Sequence, residues 1–252
     1  MSEYLDVAIE AAKKGGDVLM RYYAGGYHVE RKGDGSPVTE ADKASEKVII
    51  ETIRKRFPEH AFLGEETGAT GESEYVWVID PLDGTLDFSH HLPDFSILIA
   101  LFEGDHVIMG VSYAPALGLL MHAEKGRGAF VNGERAHVSQ VSKMSNAYCF
   151  HGWFKGFVKA DAVEQLSSFI KAVYSLDDMA PPLSYRYVIE GKADAYFEIA
   201  SHIWDVAPYV IMVEEAGGTA TDIHGGPITR ESTSILIANP VLHQEIIRFF
   251  PR

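Results

Sequence analysis

The 252-residue sequence has a single cysteine, Cys149. One thiol cannot form an internal disulfide, so no disulfide framework holds this fold, and a reducing compartment suits it. Cys149 reads as a small core residue, because nothing near it in sequence marks an activated nucleophile. Basic residues are scarce: 22 Lys and Arg stand against 36 Asp and Glu, for a net charge of −14. That balance argues against nucleic acid or an anionic membrane as the main partner. It leaves a phosphate-bearing substrate open, since a bound cation inverts the local sign of a site. No apolar run reaches the roughly 18 residues of a membrane helix. Residues 1–20 carry early acidic residues and no long apolar stretch, unlike a secretory signal. The expectation is a soluble, cytoplasmic protein. Repeats, linkers and low-complexity tracts are also lacking.

Hydrophobic residues make up 46% of the chain. That is enough for a full core in one large domain or two small ones. Residues 3–23 place Leu5, Ala8, Ile9, Ala12, Gly16, Leu19, Met20 and Tyr23 at helical spacing, with Gly25-Gly26 as a stop. A turn is expected over 32–37, then a second helix led by Thr39-Glu40-Ala41-Asp42 and ended by Pro58. Residues 61–74 are polar and Gly-rich and read as a loop. Strands are expected at 75–79, 95–102, 107–113, 119–124 and 128–138, joined by short turns. Helices are expected at 161–174, 182–190, 205–216 and 241–250, with strands at 193–199 and 234–238. The expected organisation is an N-terminal α+β half, 1–140, and a C-terminal α/β half, 141–252, packed around a cleft.

The most informative stretch is Asp80-Pro81-Leu82-Asp83-Gly84-Thr85, directly after Tyr75-Val76-Trp77-Val78-Ile79. Two carboxylates at the end of a buried strand are costly unless something positive lies between them. A hard divalent cation answers that need with oxygen ligands. Gly84 and Thr85 add backbone N–H groups and a hydroxyl, which suit a phosphate. Metal and phosphate within one turn of chain point to metal-assisted phosphate chemistry. Other acidic residues are plainer when taken singly. Asp205 suits a helix N-cap, a role compatible with metal ligation, and Pro208 is expected in the first turn. Glu65 and Glu66 fit a solvated turn, and Asp42 fits a first helical turn favoured by the dipole. His90-His91 lack the spacing of a zinc site and read as loop residues. His202 is either a packed loop residue or a substrate contact.

Four segments in order resemble the inositol monophosphatase family of Mg²⁺-dependent, lithium-sensitive sugar phosphatases. They are Val38 to Asp42, Gly64-Glu65-Glu66, Trp77 to Thr85, and Trp204-Asp205 through Glu215-Ala216-Gly217-Gly218. The resemblance implies a layered αβαβα fold of mixed α+β and α/β character, with a largely antiparallel first sheet and a smaller second sheet. It implies two to three Mg²⁺ ions. Glu65, Asp80 and the carbonyl of Leu82 would hold the first, and Asp80, Asp83 and Asp205 the second, with Glu65 reaching a third through water. Gly84 and Thr85 would bind the phosphate. Thr85 with Glu65 would orient the attacking water, supported by Asp42. Glu198 matches a position that contacts sugar hydroxyls. Asp83 and Asp205 border the same substrate. The implied reaction is in-line attack by metal-activated water without a covalent intermediate, and the implied assembly is a homodimer.

The chain departs from the family pattern at Met179-Ala180-Pro181-Pro182-Leu183, where two prolines remove backbone donors. Arg186 stands where a smaller residue is common, as a second-phosphate contact or an ion-paired side chain. Residues 150–178, with Trp153, Phe154 and Lys155, match poorly. The metal ligands are untouched, so the departures bear on specificity. Inositol 1-phosphate is the default substrate and fructose 1,6-bisphosphate the main rival. A non-catalytic metal-binding regulator on the same fold is the competing class.

Overall fold

The structure, a computed structural model, describes residues 2–25, 29–31 and 37–251, with backbone alone for 29–31 and 37–39. Gly26 and most of the expected 32–37 turn lie outside the described residues. The chain opens with α1 (Glu3–Gly25), β1 (Val29–Arg31), β2 (Pro37–Thr39) and α2 (Glu40–Arg54). It continues through β3 (Ala61–Gly64), β4 (Gly68–Thr70), β5 (Tyr75–Asp83), α3 (Thr85–Ser89), β6 (Ser96–Glu103) and β7 (His106–Ala114). Next come β8 (Leu119–Glu124), β9 (Gly128–Val131), β10 (Glu134–Arg135) and β11 (Tyr148–His151). Then follow α4 (Phe154–Lys159), α5 (Val163–Ile170), β12 (Ser175–Asp178), α6 (Leu183–Ile189) and β13 (Ala195–Ile199). The last elements are α7 (Ile203–Glu215), β14 (Thr219–Thr221), β15 (Ser234–Ala238) and α8 (Pro240–Ile246).

β5 explains the layering. Its side chains alternate across the sheet, and both faces are buried, so the run is apolar throughout. Val76 and Val78 enter one core, while Trp77 and Ile79 enter another. β6 divides the same way: Leu98, Ala100 and Phe102 on one side, Ile97, Ile99 and Leu101 on the other. α1 and α2 cover the second of these faces. α7 covers the first, and it also packs on the smaller sheet. In that smaller sheet, Tyr196 of β13 faces α7's core, while Ala195 and Phe197 face a third core shared with α4, α5 and α8. The core around α7 lies on both sides of that helix, so three cores join five layers, αβαβα, as expected.

The larger sheet runs β10-β9-β8-β7-β6-β5-β3-β4 and the smaller runs β12-β11-β13-β15-β14. The larger is antiparallel except where β3 joins β5. Several expectations are corrected. Residues 61–74 are not one loop: β3 and β4 occupy half of them, hidden because each strand is only three or four residues long. The single helix expected over 161–174 is α5, ending at Ile170, and is preceded by α4. Within 128–138 the turn that Asn132-Gly133 predicts is present, both residues at positive φ, and it separates β9 from β10. The closing helix stops at Ile246 and tightens into a 3₁₀ turn over Ile247–Phe249. β11, β12 and β14 carry too few alternating residues to announce themselves. Cys149 is buried, as expected, and burial pushes its thiol far up, which keeps it inert.

Candidate active site

Asp80 and Asp83 lie three residues apart, and in a regular strand they would face opposite sides. The pairing of β5 with β6 prevents that. Asp80 pairs with Leu98 and Asp83 with Ser96, so one residue is inserted between them on β5. This bulge restores parity and turns both carboxylates into one cleft. Pro81, inside the bulge, has no N–H to leave unpaired. Asp80 Oδ1 accepts from the Leu82 N–H at 2.9 Å, and Asp83 Oδ2 accepts from Ser96 Oγ at 3.3 Å.

The chain then turns through Gly84, at φ 84°, where a side chain would come within 2.6 Å of the Asp94 carbonyl. Only glycine fits this left-handed, crowded position. Thr85 follows as the first residue of α3. Its hydroxyl lies 3.0 Å from the Leu82 carbonyl and 3.3 Å from Asp42 Oδ1, and donates to these oxygens.

Glu65 and Glu66 occupy the turn between β3 and β4. The Glu65 N–H donates to the Ile79 carbonyl at 3.1 Å, tying the turn to β5. The Glu66 N–H donates to Glu46 Oε1 at 3.1 Å. Asp205 arrives from the other half of the chain on α7. It is not the N-cap expected from sequence. His202 holds that position, and Asp205 is the third helical residue, its Oδ2 accepting from the His202 N–H at 2.7 Å. The pairing reaches back as in a capping box. Pro208 likewise sits one turn deeper than expected, inside the helix.

Glu65, Asp80, Leu82, Asp83, Gly84, Thr85 and Asp205 thus line one cleft of ≈ 430 Å³, together with Trp153, Ala200, His202 and Trp204. Asp42 stands behind Thr85, fully buried. Glu198 lines an adjoining cavity of ≈ 490 Å³ that shares Asp83, Trp153, Ala200 and Asp205 with the cleft. The His202 ring stacks on Trp204 at 4.7 Å. Arg186 is engaged elsewhere, its Nε 3.1 Å from Glu190. At His91 the backbone carbonyl accepts from the Tyr23 hydroxyl at 2.7 Å.

The electrostatics are those of crowded acids. Burial, then repulsion from Glu65, Asp83 and Asp205, holds the Asp80 carboxyl well above the ordinary carboxylate range. Burial, then Asp205 and Glu198, does the same to Asp83. Burial pushes Glu198 up to about 7, against the Tyr196 hydroxyl that donates to its Oε2 at 2.6 Å. A divalent cation relieves this repulsion, and the donors are all oxygens: four carboxylates and the Leu82 carbonyl. The donor set fits Mg²⁺. Among the described residues no three His, Cys, Asp or Glu side chains stand close enough together to hold a metal ion as they are placed. Glu65, Asp80, Asp83 and Asp205 line the cleft.

Sequence reasoning missed three supports. Ser45 Oγ donates to the Pro81 carbonyl at 3.0 Å, Glu46 holds the Glu65-Glu66 turn, and Tyr185 and Tyr196 surround Glu198. For the first two a signal existed. Asp42, Ser45 and Glu46 fall at i, i+3 and i+4 on the face of α2 that also buries Ile49 and Ile53, where polar residues are out of place.

A five-layer αβαβα fold with a carboxylate cleft beside a Gly-Thr turn is that of a sugar-phosphate phosphatase. A sequence model of the inositol monophosphatase family matches residues 1–251. A fructose-1,6-bisphosphatase/inositol-1-monophosphatase from Thermotoga maritima is 35% identical, over 97% of this chain and 94% of that protein. A protein of Pasteurella multocida called Nus factor SuhB is also 35% identical, over 98% of this chain and 95% of its own length. The crystal structure of the extragenic suppressor protein suhB from Bartonella henselae superposes with a TM-score of 0.91 at 32% identity, covering 98% of both chains. The chain belongs to the inositol monophosphatase family and is a phosphatase. The family depends on Mg²⁺ and acts on phosphorylated sugars or polyols. Among the described residues no helix is long and apolar enough to cross a membrane.

Proposed function

We propose that the chain is a Mg²⁺-dependent phosphomonoesterase whose principal substrate is inositol 1-phosphate, with fructose 1,6-bisphosphate as the rival or second substrate. The observation that carries this reading is the convergence of Glu65, Asp80, Asp83 and Asp205 on one cleft beside Gly84 and Thr85. In this reading Glu65, Asp80 and the Leu82 carbonyl would hold one ion, and Asp80, Asp83 and Asp205 a second, with a third reached from Glu65. Bound Mg²⁺ supplies charge neutralisation at the phosphate and makes water available as a nucleophile near neutral pH. Gly84 and Thr85 present N–H groups to the phosphate oxygens. Thr85, held by Asp42, and Glu65 orient the attacking water, and Glu65 accepts its proton. Glu198, aligned by Tyr196, hydrogen-bonds substrate hydroxyls.

The chain works as a cytoplasmic homodimer in this reading, a state checked by light scattering. The net charge of −14 sets the chain against a nucleic-acid backbone.

The test is phosphate release from inositol 1-phosphate and fructose 1,6-bisphosphate, with Mg²⁺ and with a chelator. Mg²⁺-dependent release is expected from at least one, and their ratio sets the specificity. Asp83→Asn should lower turnover by at least about a hundredfold while the protein stays folded. Full activity in that variant would sink the two-ion mechanism, and a wild type inactive on every phosphate ester tried would favour the regulator reading.

A further inference from the structure

The two joined cavities differ in what lines them. The cleft carries the acids around Gly84 and Thr85. The adjoining cavity leads away past Glu198 to Gly152, Phe154, Lys155, Asp178, Ala180 and Pro181. Its volume of ≈ 490 Å³ is that of pockets that enclose a small ligand. The residues shared by the two cavities, Asp83 and Asp205 among them, mark the end where an ester would be cleaved. The residues found in the second alone mark the distal end.

Lys155 is the sole lysine or arginine among the described residues lining either cavity. Neighbouring cations are committed. Lys159 Nζ sits 4.4 Å above the Trp153 ring, and Arg186 pairs with Glu190 at 3.1 Å. Lys155 enters none of the ion pairs among the described residues. Its backbone is nonetheless held. A Cβ on Gly156 would collide with the Ile199 carbonyl, so α4 lies hard against the end of β13. Phe157, fully buried, packs edge-on to Phe197 at 5.9 Å. Lys155, exposed on this held backbone, gives an otherwise acidic pocket one cation, which has a use if the substrate is anionic at both ends.

We propose that Lys155 is the determinant of the chain's second specificity, binding the distal anionic group of a sugar bisphosphate, while inositol 1-phosphate, the principal substrate, leaves it unengaged. The scissile phosphate lies at Gly84 and Thr85 and the distal phosphate at Lys155. This rests on the phosphatase reading of the site and replaces Arg186 as the second-phosphate contact. Asp178, on the same wall, opposes the distal anion and limits the attraction.

The test compares kcat/KM for fructose 1,6-bisphosphate and inositol 1-phosphate in wild type, Lys155→Met, Lys155→Glu and Asp178→Asn. Lys155→Met should lower the bisphosphate-to-monophosphate ratio about tenfold, the worth of one charge-assisted hydrogen bond. Lys155→Glu should lower it further, and Asp178→Asn should raise it. A ratio within twofold of wild type in Lys155→Met overturns the subsite while the phosphatase reading stands. Wild type inactive on both esters overturns that reading instead. Calorimetric titration of the two esters in Ca²⁺ then judges Lys155 by itself, and equal bisphosphate affinity in wild type and Lys155→Met overturns the subsite.

Discussion

Glu198 shows how one buried side chain couples the site to pH. Burial and Asp205 keep its proton on up to about 7, while an ordinary glutamate releases it near 4.5. Between those values the folded chain binds a proton that the unfolded chain has lost. The resulting stability is therefore fully present below about 4.5 and is lost as pH rises through about 7, on the order of 3 kcal/mol in total. Glu198→Gln keeps the position neutral at every pH. In chelator, denaturation of the two proteins should show the variant gaining on wild type as pH rises from 4.5 to 8, and a constant gap across that range would contradict it. Asp80 and Asp83 are displaced in the same direction, so if they are the ligands proposed above, Mg²⁺ affinity should rise with pH as they give up their protons.

At the scale of one element, α2 organises three segments of the site from a single helical face. Asp42 accepts from Thr85, Ser45 bonds the Pro81 carbonyl and Glu46 accepts from the Glu66 N–H. Gly64 is glycine because its Cβ would strike the Glu46 carboxylate. Glu46 is buried, and desolvation raises its carboxyl above the usual range. In the proposed site it would position Glu65 by holding the N–H of the next residue, Glu66. Glu46→Ala leaves the part-buried Glu66 N–H without this partner, at a cost of about 0.5–1.5 kcal/mol. It should also raise the Mg²⁺ concentration for half-maximal activity roughly tenfold, as loss of an outer support does at metal sites. Glu46→Gln keeps the accepting oxygen and should restore most of that affinity. Equal Mg²⁺ dependence in all three proteins would leave Glu46 a purely structural residue.

For the molecule as a whole, the decisive packing is α7 between the two sheets. That helix brings Asp205 to the carboxylates of β5, and its position on the larger sheet is set where Gly110 of β7 meets Pro208 backbone to side chain-free backbone. Deeper in the same layer, Tyr209 stacks on Tyr185 at 3.6 Å and its hydroxyl meets Ser112 Oγ at 3.1 Å. A methyl group at Gly110 has backbone atoms of Pro208 in its way, which cannot swing aside as a side chain can. Gly110→Ala should destabilise the fold by about 1–3 kcal/mol. It should also weaken Mg²⁺ binding, because α7 carries Asp205. Thermal melting and Mg²⁺ titration read the two effects, and a variant with wild-type values for both would show that the sheet and helix yield without moving the site.

Sequence by itself determined the long elements and the identity of the acids. α1, α2, β5 to β8 and α7 carry enough periodic apolar residues to be legible, and Asp80 to Thr85 announces its chemistry through charge placed against a buried strand. Tertiary structure decided what period and spacing leave open. The bulge that sets Asp80 and Asp83 on one side depends on pairing with β6, not on β5's own residues. The burial of Glu46 and Glu198 depends on the elements laid over them. The meeting of Glu65 with Asp205 spans most of the chain and exists only because α7 returns across the first sheet. Local sequence sets backbone preference and side-chain chemistry, whereas proximity, desolvation and the repulsion that readies a cleft for a cation arise only when distant segments pack together.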